Sequence, residues 1–302
     1  MRLSFSALTL GLTVAIGLQA CHPGNREAMD LRAACEGGDL PACNKLGVKL
    51  QKGEYILRDD KQAVVVLDRA CTGRVGDACA SLGLAHQKGL GTKRDSVRAR
   101  ALFEQACQQG GPEGCAQLGI LLEQGRGVPK DIGRAAGLYK QACDAANMSG
   151  CARLAGFLLS GEGVAPDTSR AADLYAKSCE AEVAVGCLGL GRLHSAGIVV
   201  PKNDSIAAVH YRTACTAGDQ DGCYERGRAW EEGRGLRPDY YNAASLYREA
   251  CEDRHGPSCA RLALLHERGA GVQKDLKRAA ELRKEACSYG YSAACTPAKT
   301  ST

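Results

Sequence analysis

The chain has 302 residues, and its 39 basic and 34 acidic side chains give a formal charge of +5, interspersed rather than gathered into a strip. No arginine-rich run is available to neutralise a phosphate backbone, which argues against nucleic acid as a partner. Three Phe, one Trp and ten Tyr against 37 Gly argue against a large aromatic core and favour thin layers packed through small residues.

Met1–Ala20 carries one basic residue, Arg2, and then a mostly apolar run from Leu3 to Leu18. That run is short for a membrane span and is broken by Ser and Thr, so residues 1–20 read as a cleaved signal peptide. Leu18-Gln19-Ala20-Cys21 resembles a bacterial lipobox, which makes Cys21 the expected lipidation site. Ordinary cleavage after Ala20 is the alternative, although Leu18 stands where a small residue is wanted. Lipidation also accounts for an odd cysteine, and several acyl chains anchor stably where one is marginal. Residues 21–29 are expected to be a short linker, 30–295 a repeat array and 296–302 a tail.

From Cys35 onward a C-x7-C pair recurs every 36 residues, and this strict period overrides length as a guide to architecture. Within each repeat, three positions keep their character when counted from the second cysteine. Ten residues on stands glycine (Gly53, Gly89, Gly125, Gly161, Gly197, Gly233, Gly269). Sixteen on stands Asp or Asn (Asp59, Asp95, Asp131, Asp167, Asn203, Asp239, Asp275), and twenty on stands alanine, from Ala63 to Ala279. Glycine accepts the left-handed conformation that ends a helix, and Asp or Asn caps the free N–H groups of the next. Helix A is therefore expected from the second cysteine to the glycine, and helix B from the Asp to the next pair's first cysteine. Apolar and small residues three and four apart give each helix one buried face, and Gly119, Ala135 and Ala142 allow close approach. Neither helix can bury its stripe alone. The fold class expected is all-α, a solenoid of αα-hairpins in seven 36-residue repeats with a disulfide at each junction.

The pairs expected are Cys35–Cys43, Cys71–Cys79, Cys107–Cys115, Cys143–Cys151, Cys179–Cys187, Cys215–Cys223, Cys251–Cys259 and Cys287–Cys295. Sixteen phased cysteines behind an export signal point to an oxidising compartment. A zinc site needs converging ligands, usually at C-x2-4-C spacing, which is lacking, so no metal and no cofactor is expected.

The unit formed by a small residue, Cys, Ala, x, Leu, Gly, then G-x-G-V-x-x-D, then A-A-x-L-Y-x-x-A-C is clearest in Cys115–Cys143 and Cys151–Cys179. It resembles the Sel1-like repeat over about residues 30–295. The C-x7-C junctions look more specifically like the cysteine-rich Sel1-like proteins, the Helicobacter cysteine-rich protein family. The resemblance implies an exported right-handed superhelix that binds proteins or peptides. It also brings an alternative, because some members have been described as penicillin-binding proteins or weak β-lactamases.

At the ends, Met29–Ala34 is expected as a partial helix B. Arg283 replaces the aromatic found four residues before the first cysteine at Phe103, Tyr139, Tyr175, Tyr211 and Tyr247, which suits a terminal face. The loops after Gly53 and Gly197 lack the second glycine. No catalytic residue emerges: S-x-x-K, S-D-N, K-T-G and H-E-x-x-H are missing, and Gly290-Tyr-Ser292 only grazes a nucleophile elbow. His86, His194 and His266 share a packing position otherwise held by Leu or Trp230 and lie too far apart to converge. The G-x-G loops join helix to helix, not strand to helix, so no phosphate cradle is expected.

Binding must use residues that vary between repeats. The candidates are Arg192, Tyr224, Glu225, Arg228, Trp230 and Glu232, a composition found in interface hot spots. Trp230 replacing a core Leu is the competing reading. The expected partner is a protein or peptide, or cell-wall fragments, bound by a monomer. The expected location is the periplasm or outer membrane, with the lipid as sole membrane contact and secretion as the alternative.

Overall fold

The computed structural model describes residues 23–295; the expected signal peptide, Cys21 and the tail 296–302 lie outside them. Among the described residues there are α-helices, one 3₁₀ turn (Ser292–Ala294) and no strand. The described residues form two compact units, divided between Gly150 and Cys151. The first unit holds α1 (Pro23–Glu36), α2 (Leu40–Lys52), α3 (Asp60–Thr72), α4 (Gly76–Lys88), α5 (Ser96–Gln108), α6 (Pro112–Gln124) and α7 (Ile132–Asp144). The boundary falls within α8 (Met148–Ser160). The second unit continues with α9 (Thr168–Glu180), α10 (Ala184–Ala196), α11 (Asp204–Thr216), α12 (Gln220–Glu232), α13 (Tyr240–Glu252), α14 (Gly256–Arg268) and α15 (Leu276–Ser288). Even-numbered helices are A helices and odd-numbered ones B helices.

The expected punctuation is present. Asp59, Asp95, Asp131, Asp167, Asn203, Asp239 and Asp275 each cap a B helix, accepting from the N–H three residues on at 2.8–3.0 Å. The seven C-terminal glycines have φ between 65° and 75°. Helix bounds differ from expectation: A helices start three residues before their cysteine, and B helices run one residue past theirs. The reason is a tight junction. The residue four past the first cysteine donates to the carbonyl one before it, as Asp39 N does to Ala34 O and Val75 N to Ala70 O, both at 3.0 Å. This is the 6→1 bond of a Schellman motif. The donor residue then serves as N-cap of the next A helix, so only three residues separate the two helices. Residues 23–29, expected as linker, are helical too: Ala28 is buried, Glu27 pairs with Lys49 at 3.2 Å, and Gly24 lies against the Tyr55 ring.

Within each unit, helices pack on their sequence neighbours, as from α1 to α7 and from α9 to α15. A helices also meet the next A helix, as α2 does α4, α4 does α6 and α10 does α12. In five repeats a glycine four residues after the second cysteine makes room for a ring or a leucine of the following B helix; Ala155 and Ala263 stand there in the other two. A Cβ on Gly119 would sit 2.7 Å from Tyr139, and one on Gly227 2.5 Å from Tyr247. Gly47, Gly83 and Gly191 face Leu67, Phe103 and Tyr211 in the same way. The alanines twenty residues after the second cysteine are all at most 1% exposed.

All sixteen array cysteines are disulfide-bonded. The pairs seen to close a junction are Cys35–Cys43, Cys71–Cys79, Cys107–Cys115, Cys179–Cys187, Cys215–Cys223, Cys251–Cys259 and Cys287–Cys295. Their Cα separations of 4.4–4.8 Å lie at the short end of disulfide geometry, as a three-residue turn demands. In the last repeat Arg283 reaches Glu267 at 2.8 Å, the register in which Tyr247 donates to Glu231 at 2.9 Å. The polar replacement therefore keeps a tether to its own A helix while giving up the ring.

Candidate interaction surface

In the second unit, charged side chains connect three successive A helices. Arg192 of α10 lies 3.3 Å from Asp221 and 3.9 Å from Glu225 on α12. Arg228 bridges Glu225 at 3.6 Å and Glu232 at 3.0 Å. Arg234, in the loop after α12, approaches the same two acids at 3.8 and 2.8 Å, although its buried N–H groups are not aimed at an acceptor, so this contact is ionic rather than a directed hydrogen bond. Arg261 of α14 reaches Glu231 at 2.9 Å and Glu232 at 3.5 Å. Four cations thus meet four acids. One exposed pair is worth little, but a shared network holds its members in place.

Burial and charge act in opposite directions on two neighbouring acids. The hydrogen bond from His255, reinforced by Arg192, holds the Asp221 carboxyl below the usual carboxylate range. Burial pushes Asp219, the N-cap of α12, upward, partly offset by its bond from Gly222 N. Burial, with Glu231 as hydrogen-bond acceptor, also pushes the Tyr247 hydroxyl well above its ordinary value.

The six candidate residues divide. Arg192, Glu225, Arg228 and Glu232 belong to the network. Tyr224 borders it, with the Arg228 guanidinium 6.0 Å from its ring, while packing on Tyr247 and His255. Trp230 points elsewhere on α12: it is partly buried against the apolar core of the last repeats, and Arg226 lies 6.0 Å from its ring. It occupies the place of a core leucine, since Leu50 and Leu122 are buried at the same register. Asp221, Arg234 and Arg261 were not singled out in the sequence, because their roles depend on contacts between repeats.

Other chemistry is spent on structure. His86 and His194 are half-buried; His194 stacks on His210 at 5.5 Å, and His266 Nδ1 contacts Gln273 O at 3.1 Å. Among the described residues, Cys251, Cys259 and Glu285 have metal-like proximity, but the two sulfurs are joined to each other and offer no thiolate. Ser258, His255 and Asp221 line up as hydroxyl, imidazole and carboxylate at 2.7 and 3.0 Å, yet Ser258 is completely buried. No substrate can reach that hydroxyl.

The Sel1 repeat family model matches residues 40–71, 76–111, 112–147, 149–183, 184–219, 220–255 and 256–291. The chain belongs to the Sel1 repeat family. The helix pairs above are its Sel1 repeats, each closed by the cysteine junction. The Sel1 repeat protein from Oxalobacter formigenes is similar in fold, at 19% identity and a TM-score of 0.65 over 81% of this chain and 96% of that one. The Escherichia coli protein c5321, a protective antigen present in uropathogenic strains, is 26% identical with a TM-score of 0.57 over 88% of this chain and 57% of that one. This chain therefore spans little more than half of that antigen. Helicobacter pylori cysteine rich protein B is 26% identical over 43% of this chain and 93% of its own, with a TM-score of 0.35. No curated protein matches.

Proposed function

We propose that this Sel1-repeat chain is an exported scaffold that binds a protein or peptide through the polar stripe of its second-unit A helices. The observation that carries this reading is the Arg192–Asp221–Glu225–Arg228–Glu232 network. The cysteine, glycine and alanine positions are consumed by the fold, whereas these varying residues share one surface. Charge patterns of this kind steer a complementary partner and fix its register. Oxidised cysteines at every junction support a compartment outside the cytoplasm, and Leu18-Gln19-Ala20-Cys21 supports a lipid anchor in the periplasm or outer membrane. A secreted form is what ordinary cleavage after Ala20 would produce. Cell-wall fragments are the small-ligand version of the same binding role.

Crosslinking in native envelopes followed by mass spectrometry tests the proposal. The expected result is a discrete protein partner, recovered with the parent chain and lost with Arg192→Ala/Arg228→Ala at unchanged abundance. Equal recovery with both chains would remove the network from the interface. The penicillin-binding or β-lactamase reading gains no support from the Ser258–His255–Asp221 line, which is sealed at the buried Ser258.

A further inference from the structure

The first unit presents a surface of opposite character. A cleft of about 600 Å³ opens there, with Lys88 at the end of α4, Arg94 in the loop that follows and Arg126 in the loop after α6 among its lining residues. The floor includes Ala99 and Leu121, both buried. No carboxylate lines the cleft, and among the described residues none lies within ion-pair distance of these three cations. Asp95, adjacent to Arg94 in the chain, turns its Oδ1 to Arg98 N at 2.8 Å.

The repeat supplies an internal control. Arg126 has the register of Arg234, which is held between Glu225 and Glu232. At the two acid positions the third repeat has Gln117 and Gln124, and the second repeat places Lys88 where Glu232 would fall. The same loop arginine is thus neutralised in one unit and left uncompensated in the other. The volume is that of a small-ligand or short-peptide pocket, and arginine forks match carboxylates while the apolar floor takes an aliphatic stem.

We infer that this cleft binds an acidic peptide segment carrying at least two carboxylates. The inference uses none of the side chains of the α10–α12–α14 network, so the two readings stand or fall separately. With the full disulfide-bonded chain, anisotropy of a fluorescein-labelled hexaglutamate probe should report binding that weakens as salt rises. K88Q/R94Q/R126Q should weaken it about tenfold or more, while Arg234→Gln leaves it unchanged and hexaglutamine does not compete. Affinity unaltered by the triple substitution, or lowered equally by Arg234→Gln, would overturn the assignment. So would failure of hexaglutamate to bind at low salt. Competition by inorganic phosphate at the concentration where unlabelled hexaglutamate competes would assign the cleft to a simple anion and likewise overturn the peptide class.

Discussion

At the residue scale, the junction turn has one demanding position. Three residues past each first cysteine the backbone is left-handed: Gly38, Gly110, Gly218 and Gly290, but also Arg74, Ala146, Glu182 and Arg254, with φ from 57° to 99°. A Cβ on any of those four glycines would meet nothing within 4 Å, so only the backbone angle distinguishes the two groups. A side chain in this region costs about 1–2 kcal/mol, part of which glycine returns through its more flexible unfolded state. Ala146→Gly should therefore raise stability by about 1 kcal/mol, and Gly110→Ala should lower it similarly; denaturant midpoints at constant m-value check both. Tyr55 and Val199, standing where the G-x-G loops lack their second glycine, show the same rule with φ of 58° and 64°. The missing glycines changed the residue but not the turn.

At the element scale, helix pairs are held by fit and by tethers. Gly227 touches the Tyr247 ring so closely that a methyl group must displace it, and overpacking of this kind costs about 1–3 kcal/mol. Gly227→Ala should lower stability by that amount in thermal unfolding, whereas the terminal repeat already carries Ala263 there, opposite Arg283 instead of a ring. Between A helices, the Asp221 carboxyl is held below its ordinary value by His255 and Arg192. It therefore stabilises the fold fully above about pH 3.9, the unfolded value, and that contribution fades as pH falls through the lower folded value. Asp221→Asn should destabilise at neutral pH by less than about 1 kcal/mol, given the half-exposed side chain, and the difference should vanish in acid. Unfolding curves at several pH values measure both arms.

At the scale of the whole molecule, a solenoid repeat packs chiefly on its neighbours, so stability is close to a sum of local terms and each junction matters locally. A loop as short as C-x7-C is worth about 2.5 kcal/mol in the chain-entropy account. Cys71→Ala/Cys79→Ala should cost up to that amount and loosen the first unit preferentially, as hydrogen exchange would show. Thiol titration of the denatured, unreduced chain should find none of the sixteen array cysteines free. A large free-thiol count would remove both the staples and the argument for an oxidising compartment.

The 36-residue period, helix caps and disulfide partners were legible in the sequence because each is a local rule: a cap, a left-handed residue or a short covalent loop acts within about ten residues of itself. The candidate site was only half legible. Arg192, Glu225, Arg228 and Glu232 could be chosen because they vary on one helical stripe. Their partners Asp221, Arg234 and Arg261 could not, because those pairings join residues roughly one repeat apart or cross a loop. Trp230 carried two readings in the sequence, interface anchor or replacement of a core leucine, and packing decided for the core. Tyr224 packs on the same core while its ring also borders Arg228. The uncompensated Lys88, Arg94 and Arg126 were hidden among interspersed charges, since whether a cation is neutralised depends on how neighbouring repeats stack.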